Sequence, residues 1–199
     1  GPFPSALWSA IDTEELVVAN SELMKSVQLM ARGSGGASRM RGWGVFKGLG
    51  DELKNMSVVL PLINDLHSPS MRERHWKALM SVTHKSFDKG SKFCLADVMH
   101  LELHDHVEEV VDIIELANKE LKIEHSLSKI EHAWTYMSLD FVPHADSDIS
   151  VIAPPEEVIE CLEEHQMQLQ GMIGMGRFVD FFRDRVLLWQ NTLGSVEAT

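Results

Sequence analysis

Apolar residues return every three or four positions along most of this chain, the spacing that gathers them on one side of an α-helix. Leu7, Ile11, Leu16, Leu23, Val27 and Met30 predict a first helix over about Pro4 to Ala31. The glycine-rich run Arg32 to Ser38 reads as a flexible connection. A second helix is predicted over Trp43 to Met56, weakened by Gly44, Gly48 and Gly50, and a short third one starting near Pro61. Ser68 can cap a helix and Pro69 suits a first helical position. The run Pro69 to Met80 therefore predicts a helix continuing to about Phe87, with Trp76, Leu79, Met80 and Thr83 on one face.

Beyond a turn at Lys89-Gly90-Ser91 and a short helix or turn over Leu95 to Leu101, a long helix is predicted from about His104 to Met137. It carries two apolar stripes. Val107, Val110, Ile114, Ala117 and Leu121 form one, and Ile123, Leu127, Ile130, Trp134 and Met137 the other. At about 100° per residue the stripes lie roughly 160° apart, so the two halves face different partners or the helix bends between them. Glu115 and Lys119 form a favourable pair four residues apart on it. The period then changes to alternation at Leu139, Phe141, Ile149 and Val151 around the polar turn His144 to Asp148, which predicts one β-hairpin near 138–152. Pro154-Pro155-Glu156-Glu157 opens a helix with Val158, Leu162, Leu169 and Ile173 on its buried face. A last helix runs from Arg177 to about Leu193. The fold class is mainly α: elongated helical bundles joined by a long helix, with one small hairpin. Residues 3–103 form a first helical subdomain and 104–199 a second, and Gly1-Pro2 reads as the remnant of a cleaved fusion tag, so the chain is expected to be a piece of something longer.

Composition narrows the functional classes. With 199 residues and 44% hydrophobic content the chain can bury a real core. A net charge of -12 disfavours nucleic acid and anionic membrane surfaces, which need concentrated Lys and Arg. No apolar run approaches the roughly 18 residues of a membrane span, and the opening residues do not read as a signal peptide. Cys94 and Cys161, far apart in apolar contexts, read as buried free thiols of a reducing compartment.

Candidate chemistry is sparse. His100 and His104 have a spacing that can chelate zinc on a helix, but His104 and His106 point about 200° apart, and a solvated helix start explains them better. Glu156, Glu157, Glu160, Glu163 and Glu164 read as one acidic helix face. Gly171 to Gly176 follows a helix, not a strand, and so lacks the setting of a dinucleotide loop. The region Gly42 to Gly50 contains Lys47 without the phosphate-loop pattern. Nothing marks a nucleophile elbow. The methionines fall mostly on or beside apolar stripes, with core filling as the default and an adaptable groove as the alternative. Trp8, Trp43, Trp76, Trp134 and Trp189 occur one per helix, as packing anchors would.

The order of several motifs carries more. Val59-Leu60-Pro61-Leu62-Ile63 followed by Met71-Arg72-Glu73-Arg74-His75-Trp76 resembles the linker region of dynein heavy chains, where an LPLI-like step precedes M-x-x-RHW. Ala117-Asn118-Lys119-Glu120-Leu121, Ile123-Glu124, Leu127, Ile130 and Trp134 are similar to the next helix of that family. Met137 to Val142, Gln168-Leu169-Gln170 and the Arg177-Phe178 helix ending in Trp189 follow in the same order. The MRERHW form looks more like axonemal than cytoplasmic heavy chains, whereas the glycine-rich stretch Arg32 to Gly44 departs from the family's polar connection.

The resemblance implies a mechanical part. It places the chain in the N-terminal part of a helical rod that crosses a ring of ATPase modules and moves during the ATP cycle to drive microtubule-based motility. Pro61, Met71, Arg74, His75, Trp76, Trp134 and Trp189 would be signature and packing residues, and Arg72, Glu73 and Lys77 a surface for a partner. The fragment itself is expected to be non-catalytic and to hold no cofactor or metal. Its expected partners are the ATPase ring of its own heavy chain and other subunits of a dynein complex, in the cytoskeleton of the cytoplasm and of the ciliary or flagellar axoneme. The rival reading is a non-motor helical scaffold or adaptor that binds partner helices.

Overall fold

The computed structural model describes residues 6–32, 44–90, 92–139, 141–143, 150–152 and 155–197. The glycine-rich connection after Arg32, Trp43, the turn His144 to Asp148 and the residues Gly1, Pro2, Pro4 and Pro154 lie outside them. The fold is mainly helical with a small two-stranded antiparallel sheet. In chain order it comprises α1 (Thr13–Arg32), α2 (Gly44–Leu66), α3 (Glu73–Thr83), α4 (Leu95–Met99), α5 (Val107–Thr135), β1 (Phe141–Pro143), β2 (Ser150–Ile152), α6 (Glu156–Ile173) and α7 (Arg183–Glu197). Tight 3₁₀ turns occupy Trp8–Ala10, Leu103–Asp105 and Gly176–Phe182.

The chain divides into two compact units, Gly1–Ala117 and Asn118–Thr199. The division falls inside α5, not ahead of the long helix at 103/104 where the sequence pattern suggests it. The reason is packing: Val110, Ile113, Ile114 and Ala117 belong to the first core, and Ile123, Leu127 and Ile130 to the second.

In the first unit α1 and α2 run antiparallel. Thr13 Oγ1 donates to Asn64 Oδ1 at 2.8 Å, while the buried Asn20, further along α1, donates to Ser57 Oγ at 2.9 Å. Asp12 Oδ1 accepts the Glu15 N–H at 3.0 Å and so starts α1, later than the sequence pattern suggests. Of the predicted stripe, Ile11 and Leu16 pack on the core, whereas Leu7, Leu23 and Met30 are exposed. The chain just before α1 lies along the start of α4. Trp8 N–H donates to the Phe93 carbonyl at 2.9 Å, and Leu95 N–H to the Ala6 carbonyl at 3.1 Å.

Two prolines behave differently from expectation. Pro61 does not open a short helix; α2 is continuous from Gly44 to Leu66 with Pro61 inside it. Pro61 is exposed, and buried Val59, Leu60, Leu62, Ile63 and Leu66 on either side hold the helix across the missing N–H. Ser68 and Pro69 do not cap and begin a helix. They form a turn in which Met71 N–H donates to the Ser68 carbonyl at 3.2 Å and Ser68 Oγ accepts from Ser70. Helix α3 starts four residues after Pro69, at Glu73, and ends at Thr83 rather than near Phe87, with His84 in the left-handed conformation at φ 53°.

Along helix α5 the buried positions Val110, Ile113, Ala117, Glu120, Ile123, Leu127 and Ile130 continue toward the half-buried Trp134. They recur about every 3.4 residues, short of the 3.6 of the helix, so the stripe winds left-handedly by about 120° along its length. Ile113 and Glu120 fill the angular gap between the two predicted stripes, and the face turns gradually instead of switching.

The second unit packs α5 from Ile123 onward with α6, the 3₁₀ turn and α7; Leu169, Val179, Phe182, Val186 and Leu193 complete its core. The hairpin falls within the predicted 138–152 range, pairing Phe141 with Ile152, Val142 with Val151 and Pro143 with Ser150. Pro155 stands just ahead of α6, and the Val158 N–H donates to its carbonyl at 2.9 Å.

Because Pro61 is exposed and contributes no N–H to α2, Pro61→Ala is expected to stabilise the chain by about 1–3 kcal/mol in urea unfolding. A loss of stability would show instead that the ring itself supports the fold.

Candidate functional site

Trp76, Trp134 and Trp189, singled out by the sequence, centre two joints, one in each unit. In the first, His75 and Trp76 are each 1% exposed and Met71 is buried beside them. His75 Nδ1 accepts the Arg72 N–H at 3.0 Å and so caps α3 with the residue three positions in. This bond requires an unprotonated Nδ1, and the arginine side chain, having donors only, cannot return it. Arg72, Glu73 and Lys77 are exposed, Arg74 is half-buried, and Pro61 lies on the outer side of α2.

Trp76 is held edge-on by three rings: Trp8, Phe87 and Phe93, with centroids at 5.6, 5.8 and 5.7 Å. Phe87 and Phe93 stack at 5.0 Å, and Lys89 Nζ stands 4.8 Å from the Trp76 ring centre. Trp8 also meets His67, whose Nε2 lies 3.0 Å from the Trp8 carbonyl oxygen. Three stretches distant in sequence, before α1, within α3 and before α4, are thereby fastened to one indole. The Trp76 indole N–H is buried and has no hydrogen-bond partner among the described residues.

In the second unit both signature tryptophans use their N–H. Trp134 Nε1 on α5 donates to His165 Nδ1 on α6 at 2.9 Å. Trp189 Nε1 on α7 donates to Glu131 Oε1 on α5 at 3.2 Å, and Arg185 Nη2 bonds the same oxygen at 2.6 Å. The Arg185 bond, helped by Trp189, holds the Glu131 carboxyl below the usual carboxylate range. Burial pushes the His165 imidazole down, with the Glu164 charge working weakly against it, and burial together with the Glu164 charge pushes the Cys161 thiol up. Both cysteines are free. Glu131, His165 and Arg185 carry no sequence signal for these roles, because their partners lie 31 to 58 residues away in the chain.

The weaker candidates separate in space or find structural duties. His104 sits in a 3₁₀ turn, not on a helix with His100. The His100 carbonyl accepts Lys85 Nζ at 2.7 Å, and Lys85 also pairs with Glu102, whose carboxyl it holds below its ordinary range. Among the described residues no three His, Cys, Asp or Glu side chains are placed to hold a metal ion. Gly171 to Gly176 ends α6 and turns the chain at Gly176, φ 64°. Met172 fills the second core, while Met30 and Met167 are exposed and do not. Among the described residues no helix is long and apolar enough to cross a membrane.

The profile of the dynein heavy chain N-terminal region 2 matches residues 4–199. The chain belongs to the dynein heavy chain family. It is 39% identical, over 96% of its length, to the dynein beta chain of the flagellar outer arm of Chlamydomonas reinhardtii. It is 38% identical to the alpha chain of the same outer arm and 30% identical to human dynein axonemal heavy chain 9, again over 96% of its length. It spans only 4% of each of these relatives. The tryptophan joints are thus features of a small N-terminal region within a dynein heavy chain sequence.

The three indole N–H groups predict different responses to phenylalanine. Trp76→Phe removes an N–H that has no partner among the described residues, whereas Trp134→Phe leaves the buried His165 Nδ1 with only the Cys161 thiol at 3.5 Å and is expected to cost about 1 kcal/mol more than ring shrinkage alone. Trp76→Ala, which empties the aromatic joint, is expected to cost about 3–5 kcal/mol. Urea unfolding of the three variants checks the order, and equal costs for the two phenylalanine variants would contradict it.

His165 predicts a pH effect of definite sign. Its folded form resists a proton that the unfolded chain accepts near the ordinary value of 6.5, so the unfolded state binds more protons in acid. Its contribution is present above that value and is lost as pH falls below it. Melting temperature should therefore drop between about pH 7.5 and 5.5, with a shallower slope in His165→Gln, whose amide oxygen can still accept from Trp134.

Proposed function

We propose that this chain is the mechanical linker segment of an axonemal dynein heavy chain, a lever that docks on the ATPase ring of its parent and moves over it to drive microtubule-based motility. The observation that carries the reading is the family match across residues 4–199, joined to a fold in which one helix supplies side chains to two cores. Such a part needs binding faces and resistance to deformation, and the side-chain bonds from α5 to α6 and α7 meet the second need. The flagellar and axonemal names of the relatives support placement in the ciliary or flagellar axoneme. The exposed Arg72, Glu73 and Lys77 are the proposed partner surface, and movement requires that the ring bind this region differently in two nucleotide states. The chemistry of ATP turnover belongs to the ring, with no cofactor assigned to this segment.

Two measurements test the reading. Calorimetry of the 199-residue chain with Mg-ATP is expected to show no saturable heat; micromolar binding would contradict a purely mechanical part. In the intact heavy chain, Trp134→Ala should loosen α5 from α6, slowing microtubule gliding while basal ATP turnover is kept. A non-motor scaffold would leave gliding unchanged.

A further inference from the structure

The first unit holds a cavity of about 470 Å³ bordered by α2, α4 and the 3₁₀ turn that follows α4, a volume in the ordinary range of small-ligand pockets. Spacing on α2 sets one wall: Glu52, Asn55, Met56 and Val59 recur every three or four residues and so share a side of the helix. A bend of the chain sets another. After α4 stops at Met99, Glu102 takes the left-handed conformation at φ 53°, and His100, Glu102 and His104 around that bend all border the cavity. Two carboxylates, one amide and two imidazoles thus line the same space as the apolar Met56, Val59, Met99 and Leu103. Their bonding is uneven. Glu102 pairs with Lys85, which also donates to the His100 carbonyl. His104 Nε2 lies 3.6 Å from Asp105 Oδ1. The Glu52 carboxylate and the Asn55 amide have no side-chain partner among the described residues.

The lining itself selects a ligand. Lys85 offsets the charge of Glu102, whereas that of Glu52 is not offset among the described residues. An anion would face the carboxylates, and a wholly apolar molecule would cover Glu52 and Asn55 without bonding them, which costs free energy. A guanidinium group meets both conditions: it is planar, permanently charged and carries five donors and no acceptor. The Glu52 oxygens and the Asn55 amide oxygen can accept from it, and an aliphatic stem behind it can rest on Met56, Val59 and Met99. We propose that this cavity binds a guanidinium group on an aliphatic stem, the chemistry shared by an arginine side chain of a protein and a free alkylguanidine. The proposal does not depend on the lever reading, since it rests on this cavity alone.

The probe is butylguanidinium, with uncharged butylurea of the same shape and butylammonium as controls. Titrated into the 199-residue chain at about pH 8, where ordinary imidazoles are neutral, butylguanidinium is expected to saturate and to shift the backbone amide signals of Asn55, Met99 and His104. Butylurea should give no saturable shift, and butylammonium, with fewer donors, a weaker one. Glu52 is exposed, so Glu52→Gln should fold normally while weakening binding by about tenfold or more, because a charge-assisted bond becomes a neutral one. Asp51→Asn removes the same charge one position away on α2, outside the lining, and should leave binding unchanged. A blocked Ala-Arg-Ala tripeptide separates the two sources. Binding as tight as that of butylguanidinium assigns the cavity to an arginine side chain, and binding of butylguanidinium alone assigns it to a free alkylguanidine. Equal saturation by butylurea or butylammonium, shifts confined to other surfaces, insensitivity to Glu52→Gln, or an equal loss in Asp51→Asn would overturn the proposal.

Discussion

Helix α5 has to bury side chains in two cores, and an α-helix with a fixed repeat naturally offers one stripe. The conflict is resolved by spacing. Buried positions that recur slightly faster than the helical turn wind around the cylinder, so the same helix faces the first core at Val110 and Ala117 and the second at Leu127 and Ile130. The position where the faces exchange is occupied by the buried Glu120, not by an apolar residue. In the first core α5 shares burial with α2, α3 and α4, and in the second with α6, the 3₁₀ turn and α7.

The tryptophans show two ways of fixing such an arrangement. Trp76 acts through its ring surface, gripped edge-on by aromatic neighbours, with no partner for its N–H among the described residues. Trp134 and Trp189 act as directional ties as well, each placing its N–H on an acceptor of another helix. Ring contact tolerates small slides, whereas a bond to His165 or Glu131 fixes where one helix stands along another.

Much of the fold was legible because it is written in local periodicity. The helical class, the long helix and the hairpin near 138–152 follow from repeats of 3.6 and 2 read over short windows. The sequence misleads where one local signal serves two structures. Ser68-Pro69 suits a helix start and a tight turn equally, and only the His75 cap on Arg72 decides for the turn. Pro61 reads as a break unless the burial on both sides is known. Glu120 hides the continuity of the α5 stripe because its chemistry is polar while its position is not. At the candidate site, the helical placement of Trp76, Trp134 and Trp189 follows from the pattern, but Phe93, Glu131 and His165 do not, since pairing across tens of residues leaves no local trace. The ordered motifs from Leu60 to Trp189 carried the family where no single site did.

The distribution of indoles has an optical consequence. Trp8 and Trp76 belong to the first unit, in a crowded aromatic setting beside a lysine cation, and Trp134 and Trp189 to the second, each donating to a titratable side chain. Their emission therefore arises from two chemically distinct environments. Protonation of His165 perturbs the light from one unit, while opening of the Phe87–Phe93 stack perturbs the light from the other. Each half of this segment carries its own built-in reporter of strain.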